Sequence, residues 1–199
     1  MGDKLLDWLF GVIARPVDTL REIAAAKPFG WALLVYVGVT ALMALSSYSN
    51  MHIYNAWDEI MSGMNLYIPL PVILLSLLFL GIISIFISSG ILNIFARIFG
   101  GRGSYWSLFS AYAFTNFPMI IGVPVNIIAG FLGLFGSVVS GLFSFGLSIW
   151  VLVLQVIAVR ESHELTTGIS IIVYLIYFLI LIIVPITLLI GLVAFFVFI

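Results

Sequence analysis

The sequence predicts an all-α fold: a polytopic membrane helix bundle of five transmembrane helices preceded by an interfacial amphipathic helix. Three observations carry this reading. The first is composition. Of 199 residues 64% are apolar and 8% charged, with a mean hydropathy of +1.33, against about half and about a quarter in an ordinary soluble domain. Only 7 Lys+Arg and 8 Asp+Glu would have to cover a water-exposed surface, so the solvent of this chain is lipid. The second observation is that five stretches each supply the roughly 20 apolar residues needed to cross about 30 Å of hydrocarbon. The third is that all seven cations fall in segments on one side of those stretches.

Two segments follow from this: residues 1–28, read as a cytoplasmic interfacial helix, and 29–199, read as the membrane domain. In the first, apolar residues recur as Leu6, Leu9, Ile13, Val17, Leu20 and Ala24, at steps of three or four that mark a helix face. Pro16 divides the run into two short helices, and Trp8 is expected at the headgroup level. Asp7 interrupts the apolar run and no small-residue cleavage site follows, so the segment reads as neither a signal peptide nor a span. The apolar face can lie in the interface or pack on the ends of the bundle.

The spans are expected at about 29–48, 69–96, 104–129, 133–158 and 168–199. Prolines at the start of the second are tolerated because the first turn has no use for their missing N–H. The uncharged stretch from Gly103 to Val159 would be about 85 Å long as one helix, so it folds back near Gly130 and Gly133. Pro118 and Pro124 interrupt the third span. The fourth carries small residues at Gly136, Ser140, Ser144 and Ser148, a spacing that lets helix backbones approach closely; contact within the chain is expected for this face. The last span is long enough to tilt, or to bend near Pro185.

Lys4, Arg15, Arg21 and Lys27 precede the first span, Arg97 and Arg102 join the second to the third, and Arg160 joins the fourth to the fifth. Cations in short loops are retained on the cytoplasmic side. The expectation is therefore a cytoplasmic N-terminus and a C-terminus outside, in a multi-pass protein of a prokaryotic cell membrane. A net charge of −1 and the absence of a dense basic surface argue against nucleic acid as a partner.

Zero cysteines remove disulfides, thiolate metal sites and Cys nucleophiles. The spans hold essentially no ionisable residues, which argues against proton pumps and carboxylate-lined carriers. Motifs such as H-E-x-x-H and G-x-S-x-G are absent, so neither an enzyme nor a cofactor is expected. His52, Asp58 and Glu59 on the outer loop form a weak candidate metal set. Neutral polar residues at depth, Asn93, Asn116, Asn126 and Gln155 among them, serve either helix-to-helix hydrogen bonds or a polar path. Between Ala96 and Trp106, glycines at 100, 101 and 103 let the chain turn, with Gly100 ending one span and Ser104 capping the next. Arg97 and Arg102 beside that helix N-terminus also form a candidate anion seat for a lipid phosphate or a partner carboxylate. Candidate lipid- or partner-binding residues are thus Arg97, Gly101, Arg102, Gly103, Ser104, Arg160 and His163.

These segments resemble the Yip domain family of five-span proteins, named for interaction with small GTPases. The resemblance rests on Pro16-Val17-Asp18-Thr19, Gly100-Gly101-Arg102-Gly103-Ser104-Tyr105, Tyr112, Pro118, Trp150 and His163-Glu164-Leu165-Thr166. Thr167-Gly168 departs from the basic residue and alanine expected there. The resemblance implies a cytoplasmic N-terminus and five spans. Eukaryotic relatives with long N-terminal regions act in vesicle traffic between endoplasmic reticulum and Golgi; the short segment here suggests a bacterial or archaeal relative, and GTPase binding is carried over to no residue. The function expected is a non-enzymatic scaffold or adaptor, or a lipid-organising protein, acting through the cytoplasmic face on membrane lipids and a protein partner. The alternative is a transporter or lipid-moving protein with a polar path at Asn116, Pro118 and Asn126. The oligomeric state is left open.

Overall fold

The computed structural model describes residues 2–49 and 70–198, all helical or in short turns between helices. His52, Asp58 and Glu59 lie outside the described residues. The helices are α1 (Gly2–Ala14), α2 (Pro16–Ala26), α3 (Phe29–Ser49), α4 (Leu70–Ile98), α5 (Tyr105–Phe114), a 3-10 turn (Phe117–Ile121), α6 (Gly122–Gly130), α7 (Gly133–His163) and α8 (Thr167–Phe198). Five units are long and apolar enough to cross a membrane: α3, α4, the broken unit from α5 to α6, α7 and α8. Their alternation places every cation at one end of the bundle, called here the basic end.

Proline and glycine set the boundaries. Pro16 occupies the first turn of α2, where its missing N–H costs nothing, and Gly11 packs against the Thr19 side chain where α1 folds back on α2. The third span cannot stay α-helical through Pro118. It passes through Thr115 and Asn116 into the 3-10 turn and resumes at Gly122, a break consistent with a proline that lacks a donor. Pro185, in contrast, lies inside α8, which continues to Phe198.

The core is a single cluster concentrated toward the basic end. Phe109, Phe114, Leu108, Leu92, Leu154 and Val159 are fully buried, and α5 is buried along nearly its whole length between α2, α3, α4 and α7. The N-terminal helices belong to that core: Val12, Leu20 and Ile23 are fully buried within it. Of the two placements expected for the N-terminal face, Trp8 takes the one packed on the bundle. It is 5% exposed and meets Phe114 edge-on at 5.9 Å. The single face from Leu6 to Ala24 is corrected. Leu20 and Ala24 are buried, but Leu6 and Ile13 are exposed and α1 turns Trp8 and Val12 inward instead. The break at Arg15, with φ −141° and ψ 63°, resets the helical phase, so residues before and after it do not share a face.

The small-residue stripe of α7 is used in part. Gly136 lies so close to the Ala129 carbonyl that a side chain would not fit, and Ser140 donates to Asn126 Oδ1. Beyond these, Gly141 and Gly146 have nothing within 4 Å of where a Cβ would stand.

Candidate functional site: a basic cleft at the end of the bundle

The turn between α4 and α5 follows from its glycines. Gly100 takes φ +89°, and the Gly101 N–H returns to the Ala96 carbonyl at 2.8 Å, closing α4 with a left-handed cap. Ser104 then caps α5, its hydroxyl accepting from Ser107 N–H at 3.2 Å. Gly101 and Gly103 are bare for a second reason, because the strand of chain they form lies directly on the end of α7. A Cβ at Gly101 would stand 2.9 Å from His163 Cβ, and one at Gly103 would run into the Ser162 carbonyl. The Arg102 N–H completes the seam by donating to the His163 carbonyl at 3.1 Å.

His163 is the pin beneath this seam. It is fully buried, with Nδ1 3.0 Å from Ser162 Oγ and Nε2 3.2 Å from Asn93 Oδ1. Both ring nitrogens are engaged, an arrangement satisfied by a neutral imidazole. Arg97 reaches the Gly103 carbonyl at 3.5 Å and so braces the turn from behind.

In front of the seam lies an open cleft of about 940 Å³. Its walls are the C-terminal end of α2, the turn through Arg102, Gly103 and Ser104, and the connection from α7 to α8. Four cations line it, Arg21, Lys27, Arg102 and Arg160, together with the carboxylates of Glu161 and Glu164. Glu161, 8% exposed at its side chain, receives Arg21 Nε at 2.7 Å and Arg160 Nη2 at 2.6 Å, tying α2 to α7. The hydrogen bond and charge of Glu161 hold the Arg21 guanidinium above its ordinary value. Arg160 also donates to Thr167 Oγ1 at 3.1 Å. Lys27 and Arg102 are exposed and, among the described residues, have no acidic partner. The cleft therefore carries a positive surplus beside the N-terminus of α5, whose first-turn N–H groups favour an anion.

Two left-handed helix caps, which end α2 and α7, lie at the same place. Lys27 (φ +50°) and Glu164 (φ +56°) are the non-glycine residues with positive φ among those described, and both line the cleft. Such a conformation costs on the order of 1 kcal/mol for an L residue, and here it closes each helix, the Lys27 N–H donating to the Ile23 carbonyl and the Glu164 N–H to the Arg160 carbonyl.

Of the residues singled out from sequence, Arg102, Gly103, Ser104 and Arg160 share the cleft, while Arg97, Gly101 and His163 build its floor. Arg21 and Lys27 were missed as cleft residues. Their sequence signal was charge alone, since only the docking of α2 on α5 and α7 brings them here; the Ser107 hydroxyl donates to the Ala24 carbonyl at 2.7 Å in that seam. Asn116, Pro118 and Asn126 do not join this site. Asn116 Nδ2 donates to the Tyr112 carbonyl at 3.2 Å, Pro118 is buried in the 3-10 turn, and Asn126 is bonded to Ser140. Interior polar groups gather elsewhere: Tyr177 donates to Ser88 Oγ at 2.8 Å, and Tyr174 to Gln155 Oε1.

A family model described as Yip1 domain matches residues 10–196. No curated protein and no solved structure matches the chain.

Proposed function

The chain belongs to the Yip1 domain family, and on that premise we propose that this multi-pass membrane protein is a non-enzymatic scaffold that holds an acidic segment of a protein partner in its basic cleft. The observation that carries the reading is the pair of uncommitted cations, Lys27 and Arg102, standing over a cleft whose other arginines are already tied to Glu161. Mixed charge in the wall suits a peptide. The exposed carboxylate of Glu164 would meet a donor on the partner, and the surplus of cations would draw in its acids. The cation distribution supports a cytoplasmic opening for the cleft. α7, at 31 residues, extends about 46 Å, well beyond the hydrocarbon thickness, so its charged end with Arg160 and Glu161 reaches out of the lipid. The contact between Ser162 and His163 is buried under the glycine turn, which favours a binding role over a hydrolytic one.

The test is fluorescence anisotropy with a labelled polyglutamate peptide and the full chain in detergent. Binding that weakens with salt and drops about tenfold, equivalent to about 1.4 kcal/mol, in Lys27→Glu/Arg102→Glu supports the proposal. Equal binding by that variant, with its helicity and melting unchanged, overturns it. The break at the 3-10 turn favours a second reading, movement of lipid or solute past the third span; proteoliposomes that translocate labelled lipid independently of Lys27 and Arg102 would establish that instead.

A further inference from the structure

A second concavity lies on the other side of Lys27 from the basic cleft, lined by α1, the last residue of α2 and the first turns of α3. It is a groove of about 560 Å³, within the range of small-molecule sites. Its walls are apolar, with Leu5 and Trp8 from α1 facing Pro28, Trp31 and Leu34. Lys4 is the charged residue in its lining. The Lys4 ammonium sits 5.2 Å from the centre of the Trp8 ring and 3.2 Å from Glu22 Oε1, so a cation and a carboxylate stand together at one end of an otherwise greasy channel.

The surroundings identify the solvent of this groove. On the flank of α1 away from it, Leu6, Phe10 and Ile13 are exposed, Phe10 by 69%, while Asp7 and Lys4 occupy a third flank. A helix with one flank packed on protein, one apolar and one charged sits at the boundary between hydrocarbon and water. Pro28 to Leu34 begin the first span at that same boundary, and Leu34 is itself 58% exposed. Any occupant must therefore be apolar along most of its length and bear an anionic group at the end near Lys4.

We propose that the groove between α1 and α3 binds one membrane glycerophospholipid. An acyl chain lies against Trp8, Trp31 and Leu34, and the phosphate meets Lys4. The Glu22 carboxylate beside Lys4 gives a headgroup amine a counter-ion, so a zwitterionic headgroup is preferred over a purely anionic one. The groove shares no lining residue with the basic cleft, which adjoins it at Lys27.

Gly30 provides a clean probe, because it lines the groove and nothing stands within 4 Å of where its Cβ would be. Gly30→Phe fills the groove without entering the core. The full chain in nanodiscs receives a trace of phosphatidylethanolamine carrying a photoreactive acyl chain, and adducts are mapped by mass spectrometry. Labelling should concentrate on residues 5–8 and 31–34. It should fall about tenfold, the loss expected for about 1.4 kcal/mol of binding, in Gly30→Phe, fall in Lys4→Glu, and be weaker for a diacylglycerol probe that lacks phosphate. Labelling spread evenly over the lipid-facing helices, or unchanged in Gly30→Phe or Lys4→Glu, overturns the proposal. Arg102→Glu, which reverses a cleft cation outside the groove, should leave this labelling intact while weakening binding of the acidic peptide, so the failure of either site is told apart from the failure of the other.

Discussion

The two ends of the bundle are held by different means. Toward the basic end, α5 is wrapped by four other helices, Phe109 stacks with Phe86 at 4.8 Å, and hydrogen bonds and ion pairs run between elements far apart in sequence. Toward the opposite end, the described parts of α4, α7 and α8 stand largely exposed. There the hydroxyls of Ser76, Ser148 and Thr187 bond back to carbonyls of their own helices. None of the most apolar window of α8 is buried within the chain. Lipid solvates apolar side chains as well as neighbouring helices do, so nothing compels the far half to close. The basic half closes around its charges and the docked N-terminal helices, whereas tight packing at the far end is found at the turn where Gly136 meets the Ala129 carbonyl. Specific structure is concentrated where the solvent changes.

Glycine gives the strongest way to break that contrast. Gly103→Ala forces a methyl group into the Ser162 carbonyl and should cost about 3 kcal/mol or more, in the range of severe overpacking. Gly146→Ala, in open space at the far half, should be neutral or stabilising by up to about 1 kcal/mol. Thermal unfolding in one detergent compares them directly, and equal melting points would erase the distinction. Phe109→Ala against Phe145→Ala repeats the comparison with cavities: about 2 kcal/mol or more for the buried ring and a few tenths for the 66% exposed one.

The seam between α2 and α7 should respond less. Glu161→Gln removes the shared partner of Arg21 and Arg160. Because Arg21 is 62% exposed, screening limits the loss to about 1 kcal/mol, and the difference from the parent should shrink as salt is raised. Lys27→Gly should move the other way. It relieves a positive φ and should raise stability by up to about 1 kcal/mol, while weakening binding of the acidic peptide. A variant both less stable and fully able to bind would show that the strained residue serves the fold alone.

Much of this architecture was legible because hydropathy and charge act locally. Five apolar stretches and the confinement of Arg97, Arg102 and Arg160 to two connections are visible in one dimension. The roles of Gly100 and Ser104 were equally local, since turn and cap chemistry depends on neighbours. The site itself was half legible. Arg102 and Arg160 stood out, but Lys27 and Arg21 join them only because α2 docks across the bundle. His163 looked like a ligand group, and packing made it a floor. Trp8 was ambiguous for a related reason. A helix that meets protein, lipid and water on three flanks carries apolar residues on two of them, and periodicity does not say which of the two faces the protein.

The most direct test uses the absence of native cysteines. Single cysteines at Ala25 and Thr167, on the rim of the cleft, and at Leu132, in the turn at the opposite end, are labelled with a membrane-impermeant maleimide in right-side-out and inverted vesicles. The two cleft positions should react only in inverted vesicles and be shielded by the acidic peptide, while position 132 should react only from the other side. Reaction of the cleft cysteines in right-side-out vesicles, or indifference to the peptide, would contradict that expectation.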